Sequence, residues 1–88
     1  MCDLMFYVYV LKCRDGSFYT GYTIDMKKRL ATHEKGKASK YTRSRLPVTL
    51  VAKWPFSSKS EAMKYEIKFK SLSRKMKMEK IKNGPGEI

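Results

Sequence analysis

The chain has 88 residues, room for one small domain with a single core. Hydrophobic residues make up 42% of the chain and include six Tyr, four Phe and one Trp, which excludes a wholly disordered polypeptide. Twenty Lys and Arg against eight Asp and Glu give a formal net charge of +12, for which a polyanion such as nucleic acid is the natural partner and a solubilising surface or an acidic protein partner the alternative.

The N-terminal part of the chain predicts a β-hairpin. Residues 6–12, FYVYVLK, combine aromatic and β-branched types that favour a strand. Asp15-Gly16 is a hairpin turn signal, and residues 17–22, SFYTGY, are expected to form the returning strand. Because side chains alternate along a strand, Tyr9 and Tyr19 each lie on a defined face of this hairpin.

A first helix is expected after the hairpin, capped by Thr23 or Asp25 and ending near Lys35, with Gly36 as its stop. Met26 and Leu30 form its apolar seam.

Arg29 and His33 are four residues apart on this helix, beside that seam. Residues with this spacing are neighbours on one helical face, so both side chains can reach inward.

A basic loop and a third strand follow. Residues 36–47, GKASKYTRSRLP, contain four Lys or Arg and no acid, which predicts a loop. Residues 48–54, VTLVAKW, predict a strand that Pro55 ends.

Two helices are expected in the C-terminal part. Residues 58–61, SKSE, form a capping-box pattern that opens a helix running to about Leu72. A basic helix over 73–82 comes next. The order ββαβαα predicts an α+β domain, a three-stranded, mainly antiparallel sheet flanked by helices, over residues 1–82, with a flexible tail over 83–88.

Glu66 occupies an unusual position on the helix that this capping box opens, because it falls among apolar residues. A buried unpaired charge costs several kcal/mol, so such a carboxylate normally has a partner. A metal ion is one candidate, and an ion pair with an Arg or a Lys such as Lys70 is the structural alternative. Glu61 is explained by its place in the capping box. The flanking apolar positions are Ala62, Tyr65, Phe69 and Leu72 on one side and Met63 and Ile67 on the other.

The other polar candidates also have two interpretations each. Arg29 is either a surface cation or a guanidinium that stabilises charge on a phosphate. His33, the only histidine, is either hydrogen-bonded core or a group that transfers protons near neutral pH. Tyr9 and Tyr19 are by default packing residues of the sheet.

The joint spacing of these residues resembles that of the GIY-YIG nuclease family. Tyr7-Val8-Tyr9 stands for the first motif and Tyr19-Thr20-Gly21 for the second, and Arg29 follows Tyr19 by ten residues on the next helix. Tyr7 replaces the first glycine of the family motif, and Thr20 replaces an aliphatic residue. The stretches YTGYT, RLATHEKGKASKYTRSRLPV and SEAMKYE resemble small single-domain bacterial members of YhbQ type.

The resemblance implies a role for each candidate. Tyr9 and Tyr19 would position or activate the attacking water, and Arg29 would hold the scissile phosphate. Glu66 would bind a divalent ion, Mg²⁺ or Mn²⁺, and His33 would assist proton transfer. The implied activity is that of a metal-dependent endonuclease, with DNA favoured over RNA as the substrate and with structured or damaged DNA, as in DNA repair, among the substrates.

The alternative is a non-catalytic nucleic-acid-binding module on the same fold. In either case basic residues would guide the nucleic acid, and Tyr41 would stack on a base, unless the loop is simply a solvated flexible segment. The residues expected to bind nucleic acid are Lys37, Lys40, Tyr41, Arg43, Arg45 and Lys70.

Cysteine usage and hydropathy predict a cytoplasmic protein. Cys2 and Cys13 have neither zinc-site spacing nor the number needed for a disulfide framework. No apolar run reaches the roughly 18 residues of a membrane span, and the start of the chain lacks a basic signal-peptide region. We expect a monomer without membrane association; a protein partner that directs specificity stays open.

Overall fold

The structure, a computed structural model, describes residues 5–83 and contains one three-stranded antiparallel sheet. Strand β1 (Phe6–Lys12) is central and pairs with β2 (Phe18–Thr23) on one side and β3 (Thr49–Phe56) on the other. Four helices complete the fold. They are α1 (Met26–Glu34), α2 (Lys40–Arg43), α3 (Lys59–Lys70) and α4 (Arg74–Asn83).

Both faces of the sheet carry a hydrophobic cluster, so the central strand is apolar on both sides. Val8, Tyr9, Val10 and Leu11 are all at most 1% exposed. One cluster joins the sheet to α3 through Val8, Val10, Ala52, Trp54, Ala62 and Phe69. The other joins it to α1 through Tyr9, Leu11, Cys13, Met26 and Val48. This arrangement confirms the predicted α+β class and antiparallel sheet.

The predicted turns and caps of the first half are present. Gly16 adopts a φ of +85° in the hairpin turn, and the Ser17 backbone N–H donates to the Asp15 carboxylate. Asp25 rather than Thr23 caps α1, because its carboxylate accepts from the Lys28 backbone N–H at 3.0 Å.

The basic loop was predicted without secondary structure, and that prediction is wrong for its centre. Residues Lys40–Arg43 form α2, a single helical turn. The Ser39 hydroxyl caps it by accepting from the Tyr41 backbone N–H. The buried Thr42 side chain anchors the turn to the rest of the domain.

Several boundaries also differ from the predictions. Strand β2 is shifted by one residue relative to 17–22. Strand β3 does not stop before Pro55 but continues to Phe56, because an edge strand tolerates proline. Helix α3 ends at Lys70, and α4 includes Asn83, so only residues 84–88 of the expected tail lie outside the described residues.

Cys13 is buried and carries a free thiol, while Cys2 lies outside the described residues. Within residues 5–83, the helices are too short and too polar to cross a bilayer.

Candidate functional site

An open cleft of about 470 Å³ lies beside β2, between α1 and α3. It brings together four of the five residues predicted to act in catalysis or metal binding, which come from four different elements. Tyr9 comes from β1, Tyr19 from β2, Arg29 from α1 and Glu66 from α3. His33, the fifth, lies directly behind the cleft wall and is fully buried.

A chain of hydrogen bonds links the cleft to the α2 turn. The Tyr9 Oη lies 2.9 Å from His33 Nε2, and His33 Nδ1 lies 2.9 Å from Thr42 Oγ1. The Thr42 hydroxyl in turn donates to the Ser39 backbone carbonyl at 3.3 Å. A carbonyl can only accept, so this bond sets the direction of the whole chain. His33 Nδ1–H then donates to Thr42, and Nε2 accepts the proton of the Tyr9 hydroxyl.

The surroundings of Tyr9 and His33 keep both side chains neutral near pH 7. Burial raises the pKa of Tyr9 well above that of a free phenol, with the neighbouring Tyr19 and Glu66 acting in the same direction and Arg29 opposing them. Burial and the nearby Arg29 lower the pKa of His33. A tyrosinate therefore does not accumulate, and the neutral imidazole keeps Nε2 unprotonated, so that it can take the proton of the Tyr9 hydroxyl that it already accepts in a hydrogen bond.

Gly21 leaves the space that the Tyr9 ring occupies, because the hairpin register places the two residues opposite each other. A Cβ atom at Gly21 would lie 2.8 Å from the Tyr9 Oη and 3.0 Å from its Cζ. Only glycine allows this close approach. The sequence marked Gly21 as part of a motif but gave no reason for it, since the contact depends on the strand register.

Glu66 is only partly enclosed. Its side chain is 16% exposed, and its carboxylate lies 3.4 Å from the ammonium of Lys70, whose side chain is 56% exposed. Wheel positions predicted apolar neighbours on both sides, but Met63 and Ile67 are exposed, because α3 packs against the sheet only through its Ala62–Phe69 side. The carboxylate nevertheless lines the cleft.

The oxygen atoms that line the cleft are suitable ligands for a weakly held, hydrated metal ion. Mg²⁺ prefers oxygen ligands, keeps several waters and is commonly bound through one or two carboxylates. Glu66 supplies one carboxylate, and the phenols of Tyr9 and Tyr19 line the same cleft. Residues 5–83 contain no cluster of three or more His, Cys, Asp or Glu that would enclose a metal fully.

Tyr19 is part of an aromatic column that runs to the surface. Its ring centroid lies 5.1 Å from that of His33 and 6.1 Å from that of Tyr41. The Arg45 guanidinium covers Tyr41 at 3.9 Å from the ring centroid, donates to the Tyr41 carbonyl and pairs with Asp15 at 3.1 Å. Arg45 therefore holds Tyr41 beside Tyr19.

The remaining basic residues predicted to bind nucleic acid differ in their surroundings. Lys37, Lys40 and Arg43 are exposed on the loop and on α2. Lys70 lies on α3, next to the cleft, and pairs with Glu66. Sequence reasoning missed Thr42 and Ser39 and named Asp15 only as a turn residue, because their contributions depend on contacts between distant segments or on backbone atoms.

An α+β fold with a phenol–imidazole pair, a guanidinium and a carboxylate around one cleft has the groups of an acid–base catalytic domain. A profile of the GIY-YIG catalytic domain matches residues 5–80, so the chain belongs to the GIY-YIG family, a family of nucleases.

Curated relatives are small bacterial proteins of similar length. The chain is 53% identical over 83 residues to UPF0213 protein BH0048 of Halalkalibacterium halodurans, a match that covers 92% of this chain and 88% of the relative. It is 61% identical over 71 residues to a UPF0213 protein of Bacillus licheniformis, covering 81% and 73% respectively.

Two solution NMR structures share the fold, each with a TM-score of 0.62. One is UPF0213 protein BH0048 from Bacillus halodurans, at 49% identity, covering 94% of this chain and 88% of that one. The other is protein EF2693 from E. faecalis, at 45% identity, covering 89% and 83%. Both similarities confirm the fold, and the names of the two proteins specify no activity.

Proposed function

We propose that the protein is a metal-dependent endonuclease that hydrolyses phosphodiester bonds in DNA, including structured or damaged DNA. The observation that carries this proposal is the 2.9 Å hydrogen bond from the Tyr9 hydroxyl to a neutral His33, at the wall of a cleft that also holds Arg29 and Glu66. Acid–base groups, a cation for phosphate and a carboxylate for a metal are the parts that such a reaction needs.

Proton transfer follows from the direction of the hydrogen-bond chain. A water molecule beside the Tyr9 hydroxyl can pass its proton to the phenolic oxygen while the phenolic proton moves to His33 Nε2. The raised pKa of Tyr9 favours this paired transfer over a stored tyrosinate. The bond from Nδ1–H to Thr42 holds the imidazole in the orientation that receives the proton.

Arg29 and Tyr19 complete the cleft. The Arg29 guanidinium lines the cleft with its side chain exposed, so it can meet a phosphate entering from solvent and stabilise charge that develops during displacement. The Tyr19 ring packs against His33, and its position on the cleft wall allows its hydroxyl to orient the water. Glu66 would hold the divalent ion, which would supply charge stabilisation at the phosphate oxygens.

The second candidate function is a non-catalytic nucleic-acid-binding module. The net charge of +12 supports nucleic-acid binding under both proposals. The ion pair between Glu66 and Lys70 favours the non-catalytic one, because it already gives the carboxylate a partner.

A nicking assay on supercoiled plasmid and on branched DNA, with and without Mg²⁺ or Mn²⁺, separates the two functions. The Glu66→Ala variant should abolish cutting and leave salt-sensitive binding almost unchanged, because it removes a metal ligand rather than a phosphate contact. Glu61→Ala is the matched control, since Glu61 is an exposed carboxylate at the start of the same helix, outside the cleft. Metal-dependent cutting by the wild type and by Glu61→Ala, but not by Glu66→Ala, supports the nuclease. If the wild type binds but cuts no substrate with metal present, the binding module is the correct function.

A further inference from the structure

Two more grooves continue from the cleft along the outer side of α1. The second groove, of about 480 Å³, shares Thr23, Ile24 and Arg29 with the cleft. The third, of about 340 Å³, lies between the loop and α2 and shares Lys37 and Ala38 with the second. Because adjoining grooves share lining residues, they form one continuous track that begins at the cleft.

The track becomes more positive with distance from the cleft. The cleft is lined by Arg29, Lys59 and the carboxylate of Glu66. The second groove adds Lys28 and Lys37 to Arg29, and its one acid, Asp25, already accepts the Lys28 backbone N–H as the cap of α1. The third groove has three cations, Lys37, Lys40 and Arg43, and no acid in its lining.

These cations are free to meet an external anion. In the part of the chain that the structure describes, ion pairs occur only between Arg45 and Asp15 and between Lys70 and Glu66. None of the five cations of the second and third grooves is among them.

The backbone of the loop fixes the shape of the third groove. Gly36 adopts a φ of +75°, which ends α1 and turns the chain back towards α2. A Cβ atom at Gly36 would lie 3.2 Å from the Arg43 Cγ, so the turn packs directly against the stem of that side chain. The third groove is therefore set by backbone geometry and not only by long flexible side chains.

The size of the grooves selects the kind of nucleic acid. Cavities of about 300 to 1,000 Å³ are the size of small-molecule sites, so each groove can enclose a nucleotide or two of one strand but not both strands of a duplex. A positive groove that follows one sugar–phosphate backbone is a recurrent way of binding a single strand.

We infer that the second and third grooves bind a single strand of nucleic acid adjoining the scissile phosphate, through Lys28, Lys37, Lys40 and Arg43. The scissile phosphate would lie at Arg29, the residue shared by the cleft and the second groove. This inference deepens the proposed nuclease function and rests on it for the position of the scissile bond; the binding itself is testable without any cleavage. The single-stranded part of the substrate would then lie along the α1 and α2 side of the enzyme.

Neighbouring lysines on α1 and at its end provide matched controls. Lys28 and Lys37 line the track, whereas Lys27 and Lys35 are exposed within two residues of them and line none of the three grooves. Each change to Ala removes the same charge, so the general electrostatic field falls equally in all four variants.

The experiment measures binding of fluorescent oligothymidylate, and of a duplex of the same length, over a range of salt concentrations. Lys28→Ala and Lys37→Ala should each weaken single-strand binding and reduce the slope of log K against log salt by about 0.7, the value for one lost contact to a single strand. Lys27→Ala and Lys35→Ala should keep the wild-type slope. Equal effects in all four variants, or losses confined to the duplex, would overturn the inference.

A cleavage arm tests the position of the track relative to the scissile bond. Wild type should cut a duplex with a single-stranded arm faster than the same duplex without it, and Lys28→Ala should lose that preference while Lys27→Ala keeps it. Equal preference in both variants would contradict the placement. If the wild type binds as expected but cuts neither substrate, the nuclease proposal fails while the binding track stands.

Discussion

The Gly21→Ala substitution sets two physical effects against each other, and their magnitudes decide its outcome. Gly21 lies inside strand β2, where alanine in place of glycine normally stabilises by about 0.5–1 kcal/mol through the unfolded chain. Against this, the new methyl group would meet the Tyr9 hydroxyl at 2.8 Å, where ordinary contacts begin at 3.4 Å. The phenol would have to retreat by about 0.6 Å.

The surroundings of Tyr9 leave no room for that retreat. Tyr9 is 1% exposed and hydrogen-bonded to His33, which is 0% exposed. Overpacking a filled core costs about 1–3 kcal/mol, and breaking a buried hydrogen bond costs about 1–3 kcal/mol. Once the gain of about 0.5–1 kcal/mol is subtracted, we expect a net loss of about 1–5 kcal/mol, which lowers Tm by roughly 4–8 °C for each kcal/mol in a domain of this size. The displaced phenol should also slow cleavage by more than about tenfold.

Thermal unfolding by circular dichroism and the nicking rate test this prediction together. Tyr9→Phe removes the oxygen that makes the closest contact, so Gly21→Ala should cost less stability in a Tyr9→Phe background than in the wild type. A Gly21→Ala protein that is as stable and as active as the wild type would refute the packing argument.

Other substitutions test separate parts of the account. The pKa of His33 is lowered in the folded protein, so below about pH 6.5 the unfolded chain binds a proton that the folded chain does not. The free energy of unfolding therefore falls as the pH falls. Thermal unfolding of His33→Gln should lack that part of the decline. Arg45→Ala should lower kcat with little change in Kd, because it releases Tyr41 from its place against Tyr19 in the cleft wall, whereas Arg43→Ala should weaken binding. The opposite split in single-turnover and anisotropy measurements would contradict this. Ser58→Ala should cost about 1 kcal/mol in urea unfolding through loss of the α3 cap, and no loss would argue against the capping bond.

Local signals were sufficient for most of the fold. The aromatic and β-branched run of β1, the Asp15-Gly16 turn and the caps at Asp25 and Ser58 each depend on residues close in sequence. Helix α2 was missed because one turn is too short to show a hydrophobic period. Beyond its cap at Ser39, it is anchored by the contact between Thr42 and His33, which no local pattern contains.

The candidate site was predictable as a set of residues but not as an arrangement. Motif spacing selected Tyr9 and His33, yet their hydrogen bond spans 24 residues and requires the hairpin and α1 to pack together first. The same holds for Arg45, which was predicted to contact nucleic acid. Asp15, 30 residues away, and Tyr41 engage its guanidinium, and charge counting cannot distinguish that cation from the free ones on α2.

The first-order cleavage rate of DNA already bound to the protein, compared between wild type and Tyr9→Phe in Mg²⁺, tests the acid–base assignment most directly. The rate on DNA that is already bound does not depend on affinity. Because Tyr9→Phe also loses the buried bond to His33, circular dichroism at the assay temperature verifies that the variant is folded. We expect the rate to fall by about 10²-fold or more, the usual contribution of a positioned acid–base group. Cleavage by Tyr9→Phe at the wild-type rate would contradict the account.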